Sequence, residues 1–212
     1  MRFEDIRGET AEIVVRPAMP GDYAAFVAGY AGCGPAKNRF DEGGFDTSFM
    51  TKGWYRDLLD RRAREAAADY CYLFHIFRRE DGAALGYCDI TTQFREDFQY
   101  AKIGYTIHNP YWGRGYATQC VGLLVKIGFE QLSFHRLEAH VNLDNPASKA
   151  VLRKNGFQFE CVRKGFILED GAWTDNEIYY LNDPDWRAPG TERAETGQCG
   201  TKHTEMPGRL EC

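Results

Sequence analysis

The residues Tyr111-Trp112-Gly113-Arg114-Gly115-Tyr116-Ala117 separate a segment with strand periodicity from one with helical periodicity. Upstream, residues 99–108 carry apolar side chains at alternate positions, which predicts a β-strand. Downstream, residues 115–132 carry them every three or four positions, which predicts a long α-helix. A glycine-containing turn between a strand and a helix is typical of α/β and α+β domains.

The two glycines of this loop give it a chemistry as well as a shape. Gly113 and Gly115 allow backbone N–H groups to point inward, and they let a ligand approach without meeting a Cβ. The first turn of the following helix has unpaired N–H groups and the positive end of the helix dipole. We therefore predict a diphosphate site here, to which Arg114 can add charge. An ordinary strand-to-helix turn is the alternative, because the loop is neither a GxxxxGK[ST] nor a GxGxxG motif.

The rest of the chain predicts further strands and helices around this loop. Asn145 and Pro146 begin a short helix with a capping side chain and a proline at its first position, and Gly156 ends that helix. The predicted order is β α α β β β α β α β β, which indicates one α/β or α+β domain. Strands are predicted at residues 12–16, 72–77, 84–92, 99–108, 137–141, 157–166 and 173–181, and helices from residue 20, at 54–68, at 115–132 and from residue 145.

Two separated segments together resemble the signatures of a known superfamily. Ile103-Gly104-Tyr105 with Asn109 to Thr118 resembles the pyrophosphate loop of the GCN5-related N-acetyltransferases, and of their RimJ/RimL branch in particular. Asn145-Pro146-Ala147-Ser148, ending in Lys154-Asn155-Gly156-Phe157, resembles the second signature helix. The resemblance runs from about residue 13 to residue 181. One departure is Trp112, which stands where the superfamily has Gln or Arg at the head of the loop.

The resemblance implies a fold and a cofactor. The fold would be a single GNAT-like domain over residues 1–186, with a mixed, mostly antiparallel sheet flanked by helices. A splayed pair of parallel strands would form the cofactor site. The cofactor would be acetyl-CoA, held by Thr106, Ile107, Trp112, Gly113, Arg114, Gly115, Tyr116, Ala117, Thr118, Asn145 and Ser148.

The resemblance also implies candidates for catalysis. Ser148 would lie near the thiol and protonate the thiolate or hold a water. His140 stands on the strand before the signature helix, where some relatives carry a glutamate, and a histidine can accept a proton near neutral pH. Glu138, two residues earlier on the same strand face, can replace or orient His140. Glu169 and a water chain without an essential residue are the remaining alternatives for the base.

Composition limits the other classes of function. The net charge of −5 disfavours a nucleic-acid partner, and no apolar run is long enough to cross a membrane. Seven scattered cysteines and five scattered histidines predict neither disulfides nor a metal site, and indicate a cytoplasmic protein. Residues 187–212 are rich in Pro, Gly, Thr and Glu, which predicts a disordered C-terminal tail.

The predicted function is acetyl transfer from acetyl-CoA to a primary amine by direct attack, with a protein N-terminus as the acceptor in RimJ/RimL-like enzymes. A small amine such as a polyamine, an amino acid or an aminoglycoside is the alternative acceptor. A regulatory module that binds acetyl-CoA without turnover is the alternative class, because no acidic base is evident. The chain is predicted to act as a monomer or a homodimer.

Overall fold

The computed structural model describes residues 2–187. Within them the chain forms one eight-stranded sheet with four α-helices. The predicted disordered tail, residues 187–212, lies outside the described residues apart from Arg187. No helix among residues 2–187 is both long enough and apolar enough to cross a membrane.

The predicted elements are present, with small shifts at their ends. The strands are β1 (Gly8–Glu9), β2 (Ile13–Arg16), β3 (Cys71–Arg78), β4 (Ala84–Phe94), β5 (Tyr100–Ile107), β6 (Arg136–Asn142), β7 (Gln158–Glu169) and β8 (Ala172–Asn182). The helices are α1 (Tyr23–Ala31), α2 (Lys52–Ala67), α3 (Tyr116–Lys126) and α4 (Pro146–Lys154). Strand β1 was not predicted, because two residues are too few to show a periodicity. Helix α3 continues as a π-helix over Ile127–Gln131, within the range predicted as one helix.

The sheet is mixed and mostly antiparallel, as predicted, in the order β1-β2-β3-β4-β5-β6-β8-β7. Among the neighbouring strands of residues 2–187, only β5 and β6 are parallel, and their pairing covers three residue pairs that end at Lys102 and Glu138. Beyond that pair β5 continues to Ile107 and β6 to Asn142 without pairing to each other. The two strands therefore splay apart and leave an opening in the middle of the sheet.

The helices cover opposite faces of the sheet. His75 of β3, Tyr87 of β4 and Thr106 of β5 are paired and so share one face, where the His75 ring contacts Phe26 of α1. Tyr105 is the neighbour of Thr106 and points to the other face, because side chains alternate along a strand. On that second face α3 and α4 pack, and the hydrophobic core between α3 and the sheet is fully buried.

The end of α4 shows how local sequence determines local structure. Asn145 caps the helix, since its Oδ1 accepts a hydrogen bond from the backbone N–H of Ser148 at 3.1 Å. Gly156 adopts a φ of 84°, and Phe157 N–H donates to the carbonyl of Leu152 at 3.1 Å. This is the Schellman ending predicted from the glycine and the apolar residue that follows it.

Candidate active site

One cavity of about 520 Å³ lies where β5 ends, between the N-termini of α3 and α4. Every residue predicted to bind the cofactor lines it, although their individual roles remain predictions. The cavity is lined by Asn38, Phe40, Tyr105, Thr106, Ile107, Tyr111, Trp112, Gly113, Arg114, Gly115, Tyr116, Ala117, Thr118, Asn145, Ala147, Ser148, Ala150, Val151 and Lys154.

The glycine loop forms one end of the cavity. Gly113 and Gly115 have φ angles of 77° and 80°, a region that residues with a side chain rarely adopt. A Cβ on either glycine would meet no heavy atom within 4 Å, so their missing side chains leave open space. Gly115 is also the N-cap of α3, and no described side chain caps that helix.

These features fit a diphosphate. The N–H groups of the first turn of α3 lack partners within the helix, and the dipole of the helix favours a negative charge at this end. Arg114 and Lys154 line the same cavity and supply two cationic side chains. A ligand with two phosphates and a long arm can therefore place its phosphates at α3 and extend its arm along β5.

The other end of the cavity holds a pair of hydroxyl groups. The hydroxyl of Tyr105 lies 2.8 Å from Oγ of Ser148, and either atom can be the donor. Burial raises the pKa of Tyr105 to about 12, although the hydrogen bond with Ser148 opposes this shift. The sequence analysis named Tyr105 within a signature segment but gave it no role in catalysis or cofactor binding. Its place between Ile103 and Ile107 on the face towards α4 was the available signal.

At the end of β5, the backbone edge that faces away from β4 is not paired with another strand of the described chain. His108 N–H donates to the carbonyl of Leu85 in β4 at 2.8 Å, and N–H groups alternate in direction along a strand. The N–H of Ile107 therefore points away from β4, towards the opening. The carbonyl of Ile107 accepts a hydrogen bond from Nε1 of Trp112 at 2.6 Å. This bond anchors the glycine loop to the strand and leaves the Ile107 N–H as a donor at the opening.

Glu138 and His140 do not line this cavity. Glu138 pairs with Lys102, so its side chain points to the face of the sheet that carries Thr106. There Nε2 of His140 lies 3.2 Å from Oε2 of Glu138. Thus the structure brings the predicted bases together, but on the opposite side of the opening from Ser148.

The carboxylate of Glu138 is held by several donors. Oε2 accepts a hydrogen bond from the hydroxyl of Tyr100 at 2.6 Å, and Oε1 accepts one from Nε–H of Arg136 at 2.8 Å. Burial alone would raise the pKa of Glu138, but the hydrogen bonds from His140, Tyr100 and Arg136 outweigh it and hold the pKa at about 2. An ionised Glu138 can only accept, so Nε2 of His140 is the donor. Nδ1 of His140 has no protein partner among residues 2–187.

The loop between α1 and α2 reaches the cavity, which the sequence did not predict. The buried side chain of Asn109 donates to the carbonyls of Gly34 and Pro35 at 3.0 and 3.2 Å and to Asp41 Oδ2 at 3.0 Å. Its Oδ1 accepts from Gly34 N–H at 3.0 Å. These bonds hold the loop beside the glycine loop, where Asn38 and Phe40 become cavity residues.

Comparison with known families agrees with this geometry. The family model described as an acetyltransferase (GNAT) domain matches residues 12–158, which include both signature segments. The chain belongs to the GNAT acetyltransferase family. It is an N-acetyltransferase of that family, whose members use acetyl-CoA and transfer its acetyl group to amines.

Individual relatives and a solved structure extend the match. The GNAT chain is 33% identical over 140 residues to the probable N-acetyltransferase YjcK of Bacillus subtilis, covering 66% of this chain and 77% of YjcK. It is 26% identical over 140 residues to the ribosomal protein uS5-alanine N-acetyltransferase of Escherichia coli, covering 65% and 70%. The structure of Mycobacterium smegmatis RimJ in complex with CoA-disulfide superposes with a TM-score of 0.69 at 24% identity, covering 86% and 90%. The RimJ likeness shows that the fold is shared.

Acetyl-CoA fits the residues that this GNAT chain presents. The open glycine loop and uncapped α3 would hold its diphosphate, and the Tyr105–Ser148 end of the cavity would lie at its thioester. When bound, acetyl-CoA supplies an activated acetyl group. The chain supplies the donors and cations that bind it and the hydroxyl pair at its far end.

Proposed function

We propose that this GNAT enzyme acetylates the N-terminal amine of a protein or peptide, and that the amine takes the acetyl group directly, without a covalent enzyme intermediate. The observation that carries the proposal is the opening between β5 and β6 beyond Lys102 and Glu138. It connects the cofactor cavity to the face that carries Thr106, Glu138 and His140, which we call the acceptor face.

The groups on the cofactor side of the opening can serve the leaving thiolate and the developing oxyanion. Tyr105 and Ser148 lie on the cofactor side, and the Tyr105 hydroxyl is protonated at neutral pH, since burial raises its pKa further above 10. This hydroxyl pair can therefore give a proton to the thiolate that leaves. The N–H of Ile107 points to the opening and can donate to the oxygen on which negative charge develops.

His140 is proposed as the base on the acceptor face. Its Nε2–H is held by Oε2 of Glu138 at 3.2 Å, which orients the ring. Nδ1 would take the proton that the acceptor ammonium loses before its nitrogen bonds to the acetyl carbon. Glu138 is a positioning residue in this scheme, because its own low pKa makes it a poor base.

A protein N-terminus is the proposed acceptor because a relative named as a ribosomal protein uS5-alanine N-acetyltransferase covers 65% of this chain. A panel of acceptors tests this point. We expect acetylation of a peptide with a free N-terminal alanine, and none of the same peptide with a blocked N-terminus and an internal lysine. Acetylation of spermidine or of free amino acids alone would replace the proposal by the small-amine alternative.

Cofactor binding is tested with a matched pair of glycine variants. Gly115 and Gly171 have φ angles of 80° and 81°, and a Cβ on either would meet no heavy atom within 4 Å. Tryptophan at either position therefore introduces similar backbone strain, but only Gly115 lies in the cavity. In isothermal titration with acetyl-CoA, we expect one saturable site in the wild type and in Gly171→Trp, and loss of binding in Gly115→Trp. Equal binding by the two variants would contradict the assignment of the loop.

A further inference from the structure

Asp89 extends a carboxylate over the strand that borders the opening. Asp89 of β4 pairs with Gly104 of β5, so both lie on the acceptor face. A Cβ on Gly104 would come within 2.5 Å of Oδ1 of Asp89. The Asp89 side chain therefore leans over β5, the strand that borders the gap, in the space that a side chain at Gly104 would fill.

This carboxylate has no ionic partner among residues 2–187. Its Oδ2 accepts a hydrogen bond from the hydroxyl of Thr91 at 2.7 Å, whereas Oδ1 has no donor among those residues. Burial raises the pKa of Asp89, and the more distant charges of Lys102 and Arg62 oppose this shift only in part. A half-buried carboxylate without a cation is costly, and a cationic ligand would offset the cost.

Asp89 and His140 flank the opening from its two sides. Lys102 and Glu138 are the last residues of β5 and β6 that pair, and Gly104 and His140 each follow by two residues. Gly104 and His140 thus lie at the same level of the two diverging strands. Asp89 reaches this level from β4 by lying over Gly104, and His140 reaches it from β6. A group that passes through the opening from the acceptor face meets both side chains.

We propose that Asp89 binds the acceptor as an ammonium ion and so selects cationic primary amines. The proposal rests on the proposed transfer to an amine and adds the residue that receives the acceptor nitrogen. Oδ1 accepts a hydrogen bond from the ammonium group, and His140 beside it takes the proton. Glycine at position 104 is required because any larger residue would displace the carboxylate from the opening.

The test uses a simple cation, so it does not depend on knowing the natural acceptor. The ¹⁵N-labelled full chain is titrated with n-propylammonium at low ionic strength, with and without CoA, and the amide resonance of Gly104 is followed. We expect a saturable shift in the wild type and none with 1-propanol, the neutral isostere. Asp89→Asn should weaken the binding by about 10- to 100-fold, the usual effect of losing a hydrogen bond to a charged group. Asp97→Asn, which removes the charge of an exposed carboxylate in the β4–β5 turn, should leave the binding unchanged.

A second variant keeps the test valid if Asp89→Asn does not fold. Gly104→Ala retains the carboxylate but displaces it, so it should also weaken n-propylammonium binding while acetyl-CoA binding is retained. An unresponsive Gly104 resonance in the wild type, or equal affinity in Asp89→Asn, would overturn the proposal. A wild type that binds n-propylammonium but not acetyl-CoA would instead refute the proposed function and leave Asp89 as an ammonium site.

Discussion

The hydroxyl oxygen of Tyr105 lies 2.8 Å from Oγ of Ser148. This hydrogen bond connects the C-terminal part of strand β5 to the first turn of helix α4. The same hydroxyl lies 3.3 Å from the backbone carbonyl of Ser148. The N–H of Ser148 is bonded to Asn145, so the serine is held from both sides. Two hydroxyl groups fixed in this way form one unit that can hold a proton at the end of the cofactor cavity.

This unit predicts equal effects for its two members. We expect Tyr105→Phe and Ser148→Ala each to lower kcat by about 100-fold, a typical contribution of a general acid. The double variant should be no slower than either single one, because removing one member already breaks the unit. Steady-state kinetics with the acceptor that the wild type acetylates best would give kcat, and isothermal titration would show that acetyl-CoA still binds, since the diphosphate site at α3 is unchanged.

A matched tyrosine provides the control for these variants. Tyr180 of β8 donates its hydroxyl to Gln158 at 3.2 Å, away from the cavity. Tyr180→Phe should therefore keep the wild-type kcat. Additive losses in the Tyr105 and Ser148 double variant would contradict a shared proton and would indicate two independent roles.

His140 should affect turnover without affecting the cofactor. We expect His140→Gln to lower kcat by about 100-fold, since a general base contributes on that order. Affinity for acetyl-CoA should remain, because His140 lies on the acceptor face and not in the cofactor cavity. His135→Gln, a second half-buried histidine close to the start of β6, is the control. If both variants keep the wild-type kcat, a water chain without an essential residue carries the proton.

Asn109 should contribute to the stability of the protein by holding the α1–α2 loop beside the glycine loop. Its buried side chain makes four hydrogen bonds to residues 34–41, so Asn109→Ala removes all four of these bonds to the loop. We expect a loss of about 1–3 kcal/mol in the free energy of unfolding. Hydrogen exchange at Gly34 should accelerate more than exchange in the core strands. Urea denaturation measures the first effect and mass spectrometry the second, with the exposed Asn182→Ala as a control for both.

Much of the cofactor side was predictable because its signals are local. The glycines, the Asn145 cap and the Gly156 ending act within a few residues of themselves, and each was found where the sequence predicted it. Alternation along β5 also contained the signal for Tyr105, as its neighbours Ile103 and Ile107 are apolar. The parallel pair of strands came from the resemblance, and the fold confirmed it.

The sequence selected Glu138 and His140 but not Asp89 or the α1–α2 loop, because these two depend on contacts between distant segments. The register that places Asp89 beside Gly104 joins residues 15 positions apart in a hairpin whose β-bulge lies between Thr92 and Phe94. The α1–α2 loop is held at the site by the buried Asn109, which lies 75 residues after Gly34 in the chain. The sequence of the loop itself predicts only a polar surface loop. In the sheet, strand β8 lies between β6 and β7. The periodicity of apolar residues cannot predict this order of strands.

The final prediction concerns acid stability and follows from Glu138. Hydrogen bonds hold its folded-state pKa at about 2, below the ordinary glutamate value of 4.5. The stabilisation is therefore complete above about pH 4.5 and is lost as the pH falls through about 2. A shift of this size corresponds to on the order of 3 kcal/mol, since one pKa unit is about 1.4 kcal/mol.

We expect Glu138→Gln to lower the free energy of unfolding at pH 7, and the difference from the wild type to shrink as the pH falls below about 4.5. Urea denaturation between pH 7 and pH 3 would measure this. Glu160→Gln is the matched control, because Glu160 pairs with the same Arg136 at 2.7 Å from a more exposed position, with 38% of its side chain accessible. Exposed pairs contribute about 0–1 kcal/mol, so its effect should be small at every pH. A constant difference between the Glu138 variant and the wild type across this range would mean that the lost stability comes from packing, and that the carboxylate is not held ionised by its donors.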